Sequence, residues 1–548
     1  MSETPPNIRP PTEEEIRTIA EDHHITLTEE ELADFSAIIE GMLEAHERID
    51  ALPDPKPEVQ YHTRDPGYKP GPEEDPLNAV VTRCEVQGAD DGPLAGYDVG
   101  LKDSVSVAGV EMTLGSKLFE GYVPSVDATI VTRLLDAGGT VTAKLNMEDM
   151  ALSGSGELSA TGPVLNPRDD DYIAGGSSSG SAAAVASGAV DVAIGGDQGG
   201  SIRIPAAWSG IVGHKPTHGL VPYTGVAGLG RSFDHVGPMC SSVADCARVL
   251  EVIAGADGLD PRQGATVPTD EYTDALGTDA ADVTVGVLEE GFGHEQSEAG
   301  VDGTVREALA TFEAAGAEVR EVSVPMHLDG LPIWNAIGLE EIAATVEAEC
   351  VGHYAGGFYD TQFADAFGRA RRAQADDYVA TMKLTLVAGQ YLADQYRGHY
   401  YAKGQNLSRQ LAAAYDEALA DVDVLAMPTT PQTAHEHDPD LSRVEAIDRA
   451  LDMLPNTAPF DNTGHPAISV PAGTDDGLPV GTMFVGEAFD DETVWGSPTR
   501  LRGVWSRRYT ERPRHRVSDS GGEIAAVSSD SIASRRRSRT ACISAGCS

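Results

Sequence analysis

The chain has 548 residues, and its formal net charge of −48 comes from 87 acidic side chains against 39 lysines and arginines. It is 41% hydrophobic, which is too apolar for a disordered acidic polymer, and its acidic residues are spread along nearly the whole chain instead of forming an acidic tail. The negative charge opposes binding to nucleic acid. Repulsion within the chain is screened only in strong salt, since the Debye length is about 3 Å at 1 M, so we expect a protein of a high-salt cytoplasm.

Residues 1–75 are predicted to form a small helical extension followed by a linker. Residues 12–52 have the pattern of two helices, and the second begins at Thr28 with a capping box completed by Glu31. Residues 53–76 are rich in proline, as is typical of a linker. The chain begins without the charged-then-apolar order of a secretory signal, and no apolar run is long enough to cross a bilayer. We therefore expect an intracellular protein with no membrane partner.

Residues 76–494 are predicted to form one α/β domain. Apolar runs typical of strands, such as 283–288, alternate here with helical patterns, such as 305–315. Near the start of this domain Lys102 lies in an alternating apolar segment, although the chain has only 8 lysines against 31 arginines. Most lysines are solvated surface charges, but this segment has the pattern of a buried strand. Its apolar positions are Val99, Leu101, Val105 and Val107.

Two serines framed by glycines lie 24 positions apart. Ser177 lies in Gly-Gly-Ser-Ser-Ser-Gly-Ser at 175–181, and Ser201 ends Gly-Gly-Asp-Gln-Gly-Gly-Ser at 195–201. Glycine lets the backbone turn sharply and bring its N–H groups close to a ligand, as a nucleophile and an oxyanion hole require. The small apolar residues at 181–190 predict a tightly packed helix between the loops. Gly/Ser runs are usually linkers, but two of them around a buried helix indicate a rigid site.

Three other motifs fit these loops less well. Residues 176–180 match the G-x-S-x-G elbow of α/β-hydrolases, but that elbow follows an apolar strand and residues 168–172 are polar. Gly195 and Gly200 have the spacing of a phosphate loop, yet Ser201 stands where the lysine should be. No dinucleotide fingerprint opens a helix, so no cofactor is predicted.

The six cysteines lack C-x-x-C spacing, so we predict neither a metal site nor a disulfide framework.

Taken together, these segments resemble the signature of the amidase signature family of serine hydrolases. The variant with Gln198 is similar to bacterial amidases linked to nitrile degradation, which carry an N-terminal helical extension that assists dimer formation. The resemblance implies an α/β amidase signature fold, with a mixed β-sheet flanked by helices, and a homodimer through the N-terminal helices. It covers roughly residues 12–494 and is carried by Lys102-Asp103 and by residues 175–181, 195–206, 213–217, 219–225, 232–239 and 456–471.

The resemblance implies a catalytic triad of Ser201, Ser177 and Lys102. Ser201 would attack the amide carbonyl and form an acyl-enzyme that water later cleaves. Ser177 would relay the proton to Lys102, which can act as a base only if burial lowers its pKa from about 10.4. The family also holds the peptide bond between Gly176 and Ser177 in the cis form.

The resemblance also implies an oxyanion hole and a set of supporting residues. The hole would consist of the backbone N–H groups of Gln198, Gly199, Gly200 and Ser201. Asp197 would either orient this loop through hydrogen bonds or simply end a strand, and the sequence leaves both possibilities open. The remaining supporting residues are Ser179, as a hydrogen-bonding neighbour, and Arg203, as a brace of the loop.

The segment at 334–415 is predicted to be helical and is rich in aromatic residues. The family builds much of its acyl pocket in this segment, but packing within a helical core explains each aromatic side chain at least as well. No specificity residue is therefore assigned among Tyr354, Phe358, Tyr378, Tyr391 and Tyr396.

The composition changes abruptly at the C-terminus. Residues 495–548 contain 11 arginines and 4 acidic residues, a net charge of +7, so residues 1–494 carry −48 − 7 = −55. The family would continue after Val494 with a closing amphipathic helix. We interpret the change as a reading-frame shift at about Trp495 that leaves an atypical, disordered tail. A basic tail that binds nucleic acid is the alternative.

The sequence thus predicts an amidase that hydrolyses a small-molecule carboxamide to a carboxylate and ammonia, with no cofactor or metal. Two alternatives remain open. The glutaminase component of the amidotransferase that acts on charged transfer RNA has the same triad, but it lacks the helical extension and usually carries Thr at the position of Gln198. An inactive relative is the other alternative, which the altered tail favours and the intact triad opposes.

Overall fold

The computed structural model describes residues 8–276, 283–351 and 355–494. These residues contain thirteen α-helices and twelve β-strands, and all the strands belong to one mixed sheet. The predicted α/β fold is therefore confirmed. The basic tail at 495–548 and Tyr354 lie outside the described residues, so the hypotheses about them stay predictions.

Two helices form the N-terminal extension, as predicted. Helix α1 (Glu13–Asp22) is followed by α2 (Glu29–Asp50), and both begin with a complete capping box. At the second box, the Glu31 N–H donates to Thr28 Oγ1 at 3.2 Å, and the Thr28 N–H donates to the Glu31 carboxylate at 2.9 Å. These bonds satisfy backbone groups that the first turn would otherwise leave unpaired.

The proline-rich segment after these helices is more than a linker, because it supplies an edge strand. Strand β1 (Arg64–Tyr68) pairs antiparallel with β2 (Val80–Gln87). The register shifts between Asp65 and Tyr68, which places Pro66 at an irregularity on the edge of the sheet. Proline is tolerated at such a position because no ladder hydrogen bond is required of its nitrogen.

The centre of the sheet brings the two sequence motifs together. Its strands are β3 (Asp98–Lys102), β4 (Thr140–Leu145), β5 (Val192–Asp197), β6 (Val212–Lys215) and β7 (His235–Cys240), in the order β1-β2-β4-β3-β5-β7-β6. Strands β3 and β5 are parallel neighbours with Leu101 opposite Ile194. Their carboxyl ends therefore meet at one edge, where Lys102 ends β3 and Asp197 ends β5.

The rest of the sheet contains strands β8 to β12, which are β8 (Thr284–Leu288), β9 (Glu318–Val322), β10 (Val424–Pro428), β11 (Ala467–Asp475) and β12 (Leu478–Val485). It continues from β6 in the order β11-β12-β10-β8-β9. Strands β11 and β12 form an antiparallel pair, and β11 joins this half to β6. The strand predicted at 283–288 corresponds to β8.

Helices flank the sheet. The helix predicted between the serine loops is α4 (Ser179–Ser187), whose small residues are buried almost all round, so it packs tightly within the domain. The remaining helices are α3 (Thr129–Asp136), α5 (Arg203–Ser209), α6 (Val243–Ile253), α7 (Ala299–Ala314), α8 (Gly330–Glu347), α9 (Thr361–Gln374), α10 (Ala380–Tyr396), α11 (His399–Leu419), α12 (Arg443–Leu451) and α13 (Ala458–Thr463). No helix of the described ranges is both long and apolar enough to cross a membrane.

The aromatic residues of the segment at 334–415 include two groups. Tyr378 is buried in the main apolar cluster, together with Phe363 and Phe367. Tyr391 and Tyr396 instead lie on the exposed face of α10, because their positions along the helix turn them away from the core. The helical prediction is confirmed, but these two side chains do not contribute to an interior pocket.

Candidate active site

Lys102 is a buried lysine in contact with a serine. Its side chain is 1% exposed, and its Nζ donates to Ser177 Oγ at 2.7 Å and to the Gly196 carbonyl at 3.3 Å. Burial lowers the pKa of Lys102 to about 7, and the negative charges of Asp197 and Glu148 only partly oppose the effect. A substantial fraction of this amine is therefore neutral near pH 7.

Ser177 lies in the turn before α4, and the peptide bond between Gly176 and Ser177 is cis. The side chain is fully buried, and the Glu148 N–H donates to the Ser177 carbonyl at 3.2 Å. A Cβ on Gly176 would lie 2.9 Å from the Glu148 side chain, so only glycine fits there without displacing Glu148. The position of the Ser177 hydroxyl is thus set by its neighbours on both sides.

Ser201 lies between β5 and α5 and is 7% exposed. The loop that carries it is tied to the Ser177 loop by Ser178, because the Ser178 N–H donates to the Ser201 carbonyl at 3.2 Å. The Ser178 hydroxyl donates to the Gly196 carbonyl at 3.0 Å and accepts from the Gly196 N–H at 3.1 Å. The predicted supporting residue Ser179 is buried in the first turn of α4, but its neighbour Ser178 makes these bonds.

The predicted oxyanion loop needs one correction. The Gly200 N–H donates to Asp197 Oδ1 at 2.6 Å, so a carboxylate of the protein takes the donor that the sequence assigned to substrate. Within the described ranges, the N–H groups of Gln198, Gly199 and Ser201 donate to no protein acceptor. Three of the four predicted donors therefore remain for a reacting carbonyl.

Asp197 both ends β5 and orients the loop. Its Oδ2 accepts the Ile202 N–H at 3.0 Å, and both of its oxygens accept from the Arg203 guanidinium at 3.0 Å. Burial alone would raise the pKa of Asp197, but the adjacent Arg203 charge holds it well below its usual range. Arg203 is fully buried and also donates to Asp461 Oδ2 at 2.8 Å, so it braces the loop against α13.

Glu148 is a buried acid that the sequence did not single out. Its carboxylate accepts the backbone N–H groups of Gly156 and Leu158 and the Ser153 hydroxyl. Burial raises its pKa to about 7, and these hydrogen bonds act in the opposite direction. In a chain with 87 acidic residues, nothing in the sequence distinguishes this one from a surface carboxylate.

The other lysines of the signature region separate by environment. Lys144 and Lys215 are buried like Lys102, whereas Lys117 is exposed. Lys144 forms a 2.9 Å ion pair with Asp103, and the Lys215 Nζ donates to the His465 carbonyl at 2.6 Å. Among these four lysines, Lys102 alone combines burial with a hydrogen bond to one of the two predicted catalytic serines.

A cavity of about 140 Å³ lies next to the oxyanion loop. Tyr223 lines it, and the Gln198 Nε2 donates to the Tyr223 hydroxyl at 2.9 Å, so one wall of the cavity contacts the loop directly. The cavity lining also includes Phe358 and Phe363 from the aromatic segment. In the described part of the chain, no cluster of three His, Cys, Asp or Glu side chains is arranged to hold a metal ion.

The sequence profile of the amidases matches residues 79–495, and the chain therefore belongs to the amidase family, a family of hydrolytic enzymes. An enantioselective amidase of Rhodococcus rhodochrous is 43% identical over 496 residues, which are 89% of this chain and 94% of that protein. A glutamyl-tRNA(Gln) amidotransferase subunit of Haloarcula marismortui is 40% identical and covers 76% of this chain and 97% of that protein. The solved peptide amidase of Stenotrophomonas maltophilia superposes with a TM-score of 0.65 at 30% identity, covering 78% of this chain and 89% of that one.

Proposed function

We propose that this enzyme hydrolyses a small carboxamide to a carboxylate and ammonia through Ser201, Ser177 and Lys102. The observation that carries the proposal is the 2.7 Å hydrogen bond between the Lys102 Nζ and Ser177 Oγ, made by a buried amine with a pKa of about 7. A lysine with an ordinary pKa of about 10.4 would be almost fully protonated at neutral pH and could not accept a proton. This lysine is suited to the task.

In the proposed reaction, neutral Lys102 takes the proton of Ser177, which takes the proton of Ser201 as its oxygen attacks the amide carbon. The carbonyl oxygen becomes an oxyanion that accepts hydrogen bonds from the N–H groups of Gln198, Gly199 and Ser201. The proton returns through Ser177 to the amide nitrogen, the C–N bond breaks, and ammonia leaves. Water then attacks the acyl-enzyme with the same proton transfers and releases the carboxylate.

Ammonia release by the purified full chain in multimolar KCl tests this proposal, with propionamide and benzamide as substrates. We expect turnover by the wild type and none above background by Ser201→Ala. Ser181→Ala is the matched control, because Ser181 is a buried serine nearby whose hydroxyl donates to the Ile194 carbonyl at 3.1 Å. Turnover that survives in Ser201→Ala, or a folded wild type that releases no ammonia, would refute the proposal.

A role as an amidotransferase component is the second candidate, because the glutamyl-tRNA(Gln) amidotransferase protein of Haloarcula marismortui is 40% identical over 97% of its own length. That match covers 76% of this chain, whereas the Rhodococcus amidase covers 89%. Glutamine as the amide substrate separates the two candidates. Release of ammonia from glutamine, with none from propionamide or benzamide, would favour the amidotransferase role.

We further propose that the protein is a homodimer formed through α1 and α2. On α2, the side chains of Phe35, Ile38, Met42 and Ile49 are spaced along one helical face and are 42% to 67% exposed. Such a row on a chain with a net charge of −48 indicates a surface that is covered by a partner. Sedimentation should show a dimer for the wild type and a monomer for the double variant Ile38→Glu and Met42→Glu.

A further inference from the structure

Two side chains from distant parts of the chain hold the oxyanion loop. The Trp334 Nε1 donates to the Gln198 carbonyl at 2.6 Å, and the Thr457 hydroxyl donates to the Gly199 carbonyl at 2.5 Å. These donors lie 136 and 258 positions from their acceptors, in α8 and immediately before α13. Both side chains are buried, so water does not compete for these bonds.

The two bonds fix the directions of the neighbouring N–H groups. In a trans peptide, the carbonyl of one residue and the N–H of the next point in opposite directions. The bond from Trp334 to the Gln198 carbonyl therefore directs the Gly199 N–H away from Trp334. The bond from Thr457 to the Gly199 carbonyl likewise directs the Gly200 N–H away from Thr457, and the Asp197 carboxylate accepts it at 2.6 Å.

The packing around the two glycines leaves no room for a side chain on either of them. A Cβ on Gly199 would lie 3.2 Å from Trp334 Cζ2, and one on Gly200 would lie 2.4 Å from Thr457 Oγ1. Gly200 has a φ of +137°, a conformation that side chains rarely adopt. The glycines thus permit a close approach, and the two donors determine which way each peptide plane faces.

We propose that Trp334 and Thr457 are positioning residues of the oxyanion loop. Trp334 orients the Gly199 N–H toward the oxyanion, and Thr457 holds the peptide that follows Gly199. The proposal rests on the proposed function, because it gives these residues a role in stabilising the transition state of that reaction. Neither residue needs to touch the substrate to exert this role. Trp334 acts directly on the Gln198–Gly199 peptide, and Thr457 acts by keeping the Gly200 N–H on Asp197.

The expected effect is confined to the transition state. Removal of a whole oxyanion donor lowers kcat by about 10²- to 10³-fold in other hydrolases. Trp334→Phe loosens the Gly199 donor without removing it, so we expect it to lower kcat by about 10-fold, with KM nearly unchanged. Thr457→Val loosens the adjoining peptide, so we expect it to lower kcat by up to about the same factor, also with KM nearly unchanged. Thr457→Ser retains the hydroxyl and should keep most of the activity.

The test compares these variants with controls that lose a buried hydrogen bond elsewhere. Trp208→Phe removes an indole N–H that donates to the Gln432 carbonyl at 3.1 Å, and Thr429→Val removes a hydroxyl that bonds the Ser469 hydroxyl at 2.8 Å. Both control side chains are fully buried, and their variants should keep the wild-type kcat. Folding of every variant is checked by circular dichroism and thermal melting in KCl.

Inhibitor affinity provides a readout that packing alone would not move. We expect Trp334→Phe and Thr457→Val to weaken binding of a boronic acid, which mimics the tetrahedral intermediate, by the same factor as kcat/KM. Binding of the product carboxylate should stay unchanged. Equal losses of kcat in the Trp334 and Trp208 variants, or equal losses of boronate and carboxylate affinity, would overturn the positioning role. An inactive wild type would instead refute the proposed function itself.

Discussion

The centre of the sheet and the N-terminal helices differ in where their ion pairs lie, which is buried in the first region and exposed in the second. In the centre, the Arg203 side chain is fully buried and donates to both Asp197 and Asp461. On the N-terminal helices, Arg17 donates to Glu29 with side chains that are 40% and 84% exposed. A buried charge such as Arg203 affects stability through its few direct partners. The exposed charges contribute little as individual pairs, and their combined repulsion is screened by salt.

Substituting one arginine in each region should give the largest contrast. Arg203→Met leaves two carboxylates without their buried partner, and we expect it to destabilise the fold by about 3 to 5 kcal/mol. Arg17→Met removes an exposed pair and should produce no measurable change. Urea unfolding in KCl measures the free energy of unfolding of both variants. Equal losses would show that burial does not determine how much an ion pair contributes to stability.

A second contrast lies within the centre, between two buried lysines. Lys102 has no carboxylate within ion-pair distance in the described structure, whereas Lys144 pairs with Asp103 at 2.9 Å. Because burial lowers the folded pKa of Lys102 from 10.5 to about 7, the unfolded chain binds a proton more tightly at pH 7. Lys102→Met should therefore stabilise the fold by about 2 kcal/mol or more. The same variant should abolish activity, because it removes the proposed base.

The stability gained in Lys102→Met should depend on pH, and Lys144→Met provides its control. The penalty for Lys102 is full below about pH 7 and is relieved as the pH rises toward 10.5, so the stability advantage of Lys102→Met should shrink over that range. Lys144→Met leaves Asp103 buried without its partner and should destabilise the fold instead. A Lys102→Met variant that is less stable than the wild type would mean that its hydrogen bonds outweigh the cost of burial.

The sequence was informative where the signal lies within a short segment of the chain. The glycine-rich loops around two serines and the lysine in an apolar segment are unusual on their own, and the family resemblance then implied the triad of Lys102, Ser177 and Ser201. Trp334 and Thr457 could not be selected in this way, because their bonds to residues 198 and 199 depend on how distant helices pack. Nor could the sequence show that the Gly200 N–H is taken by Asp197, since that depends on the orientation of one peptide plane.

The same limit applies to the fold. The α/β pattern and both N-terminal helices followed from periodicity and capping, which are local properties. The edge strand β1 was missed because proline favours a linker wherever the sheet edge is unknown. The outward direction of Tyr391 and Tyr396 was also hidden, since it depends on which face of α10 packs against the rest of the fold.

A smaller effect is expected on the pH dependence of turnover. If neutral Lys102 is the base, kcat/KM should rise about tenfold per pH unit up to an apparent pKa near 7 and then level off. Burial also raises the pKa of Glu148 to about 7 and that of Asp234 to about 6, so both groups titrate in the same range. The rising limb should persist in Glu148→Gln and Asp234→Asn, and its disappearance from either variant would assign the limb to that carboxylate.

The smallest effect should be the response of the buried ion pairs to salt. Raising KCl from 0.5 M to 3 M should stabilise the wild type, because the Debye length falls to about 3 Å at 1 M and the repulsion within a chain of net charge −48 is screened. Arg203, Asp197 and Asp461 are fully buried, so the ions that screen the surface do not reach them. The loss of stability in Arg203→Met should therefore be the same at both salt concentrations. A loss that shrinks in 3 M KCl would show that surface repulsion, and not the missing partner, destabilises the variant, and the contrast between the two regions would then fail.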